Sequence, residues 1–299
     1  MRLLRAILSL TPCTALPTMP ATMPQISVRM LRVQGRPARV WRGGSGPALL
    51  LLHGGMGDAR LHWEPVWERL AHSFTVAAPD LPGFGETAPL PSASFSAIAD
   101  WVGELREVLG FPRLVLVGNS FGGGVARLYA AAQPVRVVRL VLVNGGALPK
   151  IPSWARKVMA APRLSGWLFD FMRRQAFSRA GLKRLIADER LLTPEFVARS
   201  QAESVGFVRA MRESAFADLP PQQTPISPTL VLWGELDRQA PLASGRKLAA
   251  SIPGATFRTI PNASHMPQLE QPEQFVTILR EFCGRAMRDH YSVGSSLER

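Results

Sequence analysis

Leu114-Val115-Leu116-Val117-Gly118-Asn119-Ser120-Phe121-Gly122-Gly123 joins a continuous apolar run to a glycine-rich segment. The run predicts a buried strand, and the glycine-rich part predicts the start of a helix. Ser120 stands at the junction, inside the pattern G-x-S-x-G. A serine hydroxyl must stand clear of the backbone to reach a carbonyl carbon, and a sharp turn between strand and helix gives it that exposure. Gly118 and Gly122 remove side chains where the strand and helix crowd each other. A bland glycine-rich turn with an incidental serine is the competing reading, and short motifs carry false positives. The rest of the chain decides between them.

A serine nucleophile needs a base, an acid that orients the base, and donors for an oxyanion. Thr229-Leu230-Val231-Leu232-Trp233-Gly234 reads as a second buried strand, and Asp237 lies just past its end. Groups that react collect at the carboxyl ends of strands in open parallel sheets. His265 falls in the loop Asn262-Ala263-Ser264-His265-Met266-Pro267, ahead of a helix expected over Pro272 to Met287. There it can take the Ser120 proton and return it to a leaving group. Other carboxylates are weaker candidates. Asp80 opens Asp80-Leu81-Pro82-Gly83-Phe84-Gly85 and reads as a loop anchor, Glu235 as solvated, and Glu270 as an anchor of the following helix. His53 reads as a loop brace. His62, His72 and His290 read as needing no special role.

The oxyanion donors are expected from an earlier turn. Ala48-Leu49-Leu50-Leu51-Leu52 reads as a strand, followed by His53-Gly54-Gly55-Met56-Gly57. Gly55 is the preferred backbone donor, Met56 the alternative, and the N–H of Phe121 the second donor.

Taken in order, His53-Gly54-Gly55, Asp80 to Gly85, Gly118 to Gly123, Trp233 to Asp237 with Pro241, and His265-Met266-Pro267 with Glu270 and Pro272 resemble the motifs of the α/β-hydrolase fold. They span about Ile26 to Cys283. The resemblance implies an α/β fold with an eight-stranded, mostly parallel sheet wrapped by helices, and a nucleophile–acid–base order of Ser120, Asp237 and His265. Some relatives carry the acid after the strand that follows the nucleophile helix. Here that strand, Leu140 to Val143, ends in Asn144, which favours Asp237. Relatives that open epoxides or displace halide use aspartate at the position of Ser120, so the resemblance points away from those activities. The elbow is also similar to that of hydrolases that cleave C–C bonds in ring-fission dienoates, whose cap arginine grips a carboxylate. Arg199 looks one residue out of register for that task, a rotation of about 100° around a helix. Met266 and the short glycine run after His53 also depart from that group.

The net charge is +13, but the basic residues are overwhelmingly arginine and scattered along the chain. No basic-aromatic strand pattern or recognition helix accompanies them, so no nucleic-acid partner is expected. Cys13 and Cys283 suggest no disulfide framework, and no Cys/His spacing suggests zinc. No phosphate loop or dinucleotide fingerprint appears. Gly43-Gly44-Ser45-Gly46 reads as a hairpin turn between two strands, so neither a cofactor nor a metal is expected. No apolar stretch is long enough to span a membrane. Residues 1–25 read as a leader, disordered or signal-like; Arg5 interrupts its apolar part, which favours the cytoplasm over export.

The hydrolase core is expected over 26–147 and 225–285, and a polar tail over 286–299. Between them, 148–224 lacks a convincing strand and reads as an all-helical cap. Its expected helices are Trp154–Ala160, Leu164–Gln175, Ala180–Glu189 and Pro194–Ala217, the last opened by Thr193 as N-cap and Pro194 in the first turn. Met159, Trp167, Phe171, Phe207, Met211 and Met266 are the candidate lining of an apolar pocket, along with Phe177; packing between cap helices is the competing use of most of them. The chemistry expected is hydrolysis of a carboxylic ester or lactone with a substantial apolar part through an acyl-serine. C–C bond hydrolysis and a non-catalytic ligand-binding protein are the alternatives. A homodimer is left open.

Overall fold

The computed structural model describes residues 24–147, 170–216 and 224–294. Eight strands form one sheet: β1 (Ser27–Val33), β2 (Arg36–Gly43), β3 (Ala48–Leu52), β4 (Thr75–Pro79), β5 (Leu114–Asn119), β6 (Val137–Val143), β7 (Thr229–Gly234) and β8 (Thr256–Ile260). Their order is β1-β2-β4-β3-β5-β6-β7-β8. β1 pairs with β2, and β2 with β4, antiparallel; every other pair is parallel.

The central strands read as unbroken apolar runs because both of their faces are covered. In β3, Leu50 and Leu52 point into one core layer and Leu49 and Leu51 into the other. The same alternation puts Leu116, Leu140, Leu142, Val231 and Trp233 on the first side, and Val117, Val141, Val143, Leu230 and Leu232 on the second. Helices α1 (Ala59–Ala71), α2 (Phe95–Val108) and α3 (Phe121–Ala132) follow β3, β4 and β5. Residues 170–216 contain α4 (Pro194–Ala202) and α5 (Val205–Phe216), and α6 (Leu242–Ala250) and α7 (Pro272–Gly294) come after β7. Trp101, Val102 and Leu105 of α2, Val125 of α3 and Leu248 of α6 cover the first face. Trp63, Val66, Trp67 and Leu70 of α1, with Phe275, Val276 and Leu279 of α7, cover the second.

Several local expectations are corrected. The turn Gly43–Gly46 is no hairpin, because β4 lies between β2 and β3. Gly44 (φ +78°) and Gly46 (φ +118°) instead take the chain past the end of α1, where a Cβ on Gly44 would lie 2.3 Å from the Phe74 carbonyl oxygen. The helix expected over Pro194–Ala217 is two helices, broken at Glu203 and Ser204. Gly206, at the start of α5, packs so closely on Gly83 that a Cβ would meet the Gly83 carbonyl oxygen at 2.4 Å. The segment expected as one helix over Ala180–Glu189 holds a single turn, Arg179–Leu182, and a 3₁₀ turn, Glu189–Leu191. Part of the expected tail is helical, since α7 reaches Gly294. The leader up to residue 23 and the expected helix Trp154–Ala160 lie outside the described residues, and so do Met159 and Trp167.

Candidate active site

Ser120 sits between β5 and α3 with φ +49° and ψ −111°, a conformation that a residue with a Cβ rarely holds. The strand and helix meet tightly below it. A Cβ on Gly118 would lie 2.3 Å from the Gly122 carbonyl oxygen, and one on Gly122 would lie 2.4 Å from that of His53. The carboxyl end of β8 leads to His265, and that of β7 leads to Asp237.

These three side chains, far apart in sequence, form one hydrogen-bonded line. Ser120 Oγ lies 2.9 Å from His265 Nε2, and His265 Nδ1 lies 2.7 Å from Asp237 Oδ2. Asp237 also accepts bonds from the N–H groups of Gln239 and Ala240, both at 2.8 Å, and from Asn144 Nδ2 at 2.6 Å. Burial pushes the Asp237 carboxyl up; the bond to His265, its charge, and the other donors outweigh burial and hold it below its ordinary value. Asp237 therefore stays ionised and fixes a proton on His265 Nδ1, leaving Nε2 free to accept from Ser120. Asn144, where the strand end lacks a carboxylate, has φ +43°, and its Oδ1 accepts the Gly234 N–H at 3.0 Å. It thus steadies the acid it does not replace.

The turn after β3 faces Ser120. The N–H groups of Gly55, Met56 and Phe121 have no hydrogen-bond partner among the described residues. Phe121 opens α3, so its N–H lies at the positive end of the helix dipole, while the N–H groups of Gly123 and Gly124 donate to the Ser120 carbonyl. His53 braces this turn as expected: its Nδ1 bonds the Gly54 carbonyl at 2.7 Å and its Nε2 accepts the Leu81 N–H at 2.8 Å. His62, expected to have no special role, is a second brace. Its Nε2 donates to the Met56 carbonyl at 2.5 Å, and its Nδ1 accepts the Gly54 N–H at 3.4 Å. Burial, helped by neighbouring His53, drives its pKa down to about 3, so His62 is neutral near pH 7.

A cavity of about 300 Å³ opens in front of Ser120, at the small end of the range for small-molecule sites. Gly55, Met56, Ser120, His265, Met266, Phe177 and Phe207 line it. Of the remaining pocket candidates, Met211 packs on the core cluster under the sheet's first face rather than on the cavity. Phe171 is half exposed and lies off the cavity wall. Phe207 lies directly over Gly55, where a Cβ would come within 2.3 Å of the ring. Arg199 does not line the cavity; it pairs with Asp58 at 2.7 Å.

Three carboxylates hold the surroundings. Asp80 anchors its loop as expected, pairing with Arg39 at 2.5 Å and accepting the Ala59 N–H at 3.1 Å. Glu270 does not anchor the helix after it. It accepts N–H bonds from Ala187 at 2.6 Å, Asp188 at 3.2 Å and Ser264 at 2.7 Å, and so ties the segment after β6 to the His265 loop. Asp58 was missed: it N-caps α1 through the Leu61 N–H at 2.9 Å and binds both Arg39 and Arg199. An aspartate just ahead of an amphipathic run is the signal that would have found it.

The chain belongs to the alpha/beta hydrolase fold family, whose model matches residues 47–272. A pimeloyl-[acyl-carrier protein] methyl ester esterase from Aeromonas hydrophila is 31% identical over 254 residues, which covers 82% of this chain and 98% of the relative. A 2-hydroxy-6-oxononadienedioate/2-hydroxy-6-oxononatrienedioate hydrolase from Comamonas testosteroni is 28% identical over 259 residues, 80% of this chain and 88% of the relative. Among solved structures, a thermophilic esterase from Thermogutta terrifontis superposes with a TM-score of 0.71 at 28% identity, covering 87% of this chain and 98% of that one. Among the described residues no helix is long and apolar enough to cross a membrane.

Proposed function

We propose that this hydrolase cleaves a carboxylic ester or lactone with an apolar part through an acyl-serine intermediate. The observation that carries the reading is the Ser120–His265–Asp237 line at 2.9 and 2.7 Å, ending at the wall of the cavity. Ser120 Oγ attacks the carbonyl carbon while His265 Nε2 takes its proton. Asp237 keeps the imidazole in the tautomer that accepts, then stabilises the imidazolium. The negative oxygen of the tetrahedral intermediate is held by the Phe121 N–H and by that of Gly55 or Met56, two of them being enough. His265 returns the proton to the departing alcohol. Water, deprotonated by the same imidazole, then attacks the acyl-serine and frees the acid. Of the segment expected as a cap, the described residues 170–216 cover this site, with Phe177 and Phe207 supplying apolar walls.

The test is turnover of a p-nitrophenyl ester series, acetate to decanoate, by the wild type and Ser120→Ala. Wild-type turnover that falls by roughly 10³-fold or more in the variant supports the reading. Equal turnover by both proteins, or none by either, sinks it; ligand binding unchanged by the substitution and without turnover favours a non-catalytic role. A second reading, C–C hydrolysis of a ring-fission dienoate, is favoured by the likeness to the Comamonas protein. The pairing of Arg199 with Asp58 removes the arginine the sequence comparison put forward for that substrate. Loss of a dienoate's absorbance on adding enzyme is its test.

A further inference from the structure

The arginines of 170–216 are mostly neutralised: Arg173 and Arg174 pair with Asp170, Arg190 with Asp188, Arg199 with Asp58, and Arg209 with Glu213. Arg184 is different. Among the described residues its guanidinium has no hydrogen bond or ion pair, and Arg184, an exposed residue, is part of the lining of the cavity in front of Ser120. Its position is fixed from below. The Ser264 hydroxyl donates to the Arg184 carbonyl at 3.4 Å, and the His265 N–H donates to the Leu185 carbonyl at 3.0 Å. The arginine is thus carried on backbone bonded to the loop that holds the candidate base.

The rest of the lining gives this charge a purpose. Among the described residues no aspartate or glutamate lines the cavity. His62 beside it is neutral at ordinary pH. The exposed side chains of Gln175 and Gln239 complete a polar rim, and their amides have no hydrogen-bond partner among the described residues. The buried part of the lining is mostly apolar, with Met56, Phe177 and Met266 beside the polar Asn119 and His62. A mostly apolar interior, with a guanidinium that has no partner among the described residues and amide donors beside it, suits a chain that is apolar in the middle and anionic at its far end. A planar fork of N–H donors matches a carboxylate in particular.

We propose that the preferred substrate is an ester that carries a free carboxylate remote from the scissile bond, such as a half-ester of a dicarboxylic acid, and that Arg184 binds that carboxylate. The inference rests on the esterase reading above, so its test has one arm that needs no turnover. Monomethyl adipate and methyl hexanoate, alike in length and different in charge, are compared by pH-stat on the wild type, Arg184→Ala, Arg184→Lys and Arg184→Glu. The expected result is a KM for monomethyl adipate that rises roughly tenfold in Arg184→Ala and further in Arg184→Glu, with partial recovery in Arg184→Lys. kcat, and both constants for methyl hexanoate, stay within about twofold, which a general structural disturbance would not allow. Binding of monomethyl adipate to Ser120→Ala and to Ser120→Ala/Arg184→Ala is measured alongside by calorimetry. Weaker binding in the double variant upholds the carboxylate site even if no ester turns over. Equal binding by the two, or loss of activity on both esters alike, overturns it.

Discussion

Replacing Gly55 by alanine tests whether the turn after β3 is set by the helix lying over it. The added methyl would fall 2.3, 2.6 and 2.7 Å from three atoms of the Phe207 ring. Ordinary contact begins at 3.4 Å, so ring or turn must give by about 1 Å. Backbone strain is not the issue, since Gly55 is outside the positive-φ set. The ring has little room to yield, for its edges meet Phe121 at 5.8 Å and Phe177 at 6.4 Å between centroids. The turn therefore takes up most of the shift, even against the two bonds it makes with His62. A 1 Å displacement of an oxyanion donor costs up to about 100-fold in kcat, near 2.7 kcal/mol. Overpacking costs a further ~1–3 kcal/mol of stability. Steady-state kinetics on p-nitrophenyl butyrate, with urea unfolding, would be run on the wild type, Gly55→Ala, Phe207→Ala and the double variant. We expect kcat to fall roughly 10- to 100-fold in Gly55→Ala, and most of that loss to vanish when Phe207 is alanine. If the Gly55→Ala penalty is the same with and without the ring, Phe207 does not set the turn. If kcat does not fall at all, Gly55 does not shape the oxyanion site.

Asp237→Asn is expected to lower kcat by about 10⁴-fold while leaving the fold intact, because the amide favours the wrong tautomer of His265. It also bears on acid stability. The folded carboxyl lies below its ordinary value, so its contribution is fully present above about pH 4 and is lost as pH falls through the folded value. Melting temperature against pH should accordingly fall less steeply on the acid side in the variant; an identical acid limb would remove this assignment. Glu270→Ala strands the N–H groups of Ala187, Asp188 and Ser264. A loss of ~2–3 kcal/mol in urea unfolding is expected, with kcat reduced more than KM is raised, because the His265 loop loses its tie. Unchanged stability would mean that water replaces the carboxylate at no cost.

The parts of the fold that could be read ahead of the structure are those covered on both faces. β3, β5 and β7 appear in the chain as unbroken apolar runs, and their ends placed Ser120 and Asp237 next to turns that meet in space. β8 was not read as a strand. It lies at the sheet edge, and of Thr256 to Ile260 only Ile260 is buried, so its apolar pattern is too thin to see. The break between α4 and α5 was equally hidden, since Gly206 stands where it does because of Gly83, a contact between distant parts of the chain. At the site, Ser120 and Asp237 were legible as residue types at strand ends, and His265 as a histidine in a turn-rich loop ahead of a helix. His62 and Glu270 were not, because a brace has no signature of its own: any residue able to accept or donate at that spot would look the same in the chain.

The backbone at Ser120, held at φ +49°, has a consequence for anyone improving this protein. A side chain there sacrifices ~1–3 kcal/mol that glycine would not. The glycine variant keeps the turn, loses the hydroxyl, and melts later. A campaign of random mutagenesis scored on heat resistance alone will therefore enrich inert clones at this codon, and turnover must be screened from its first round.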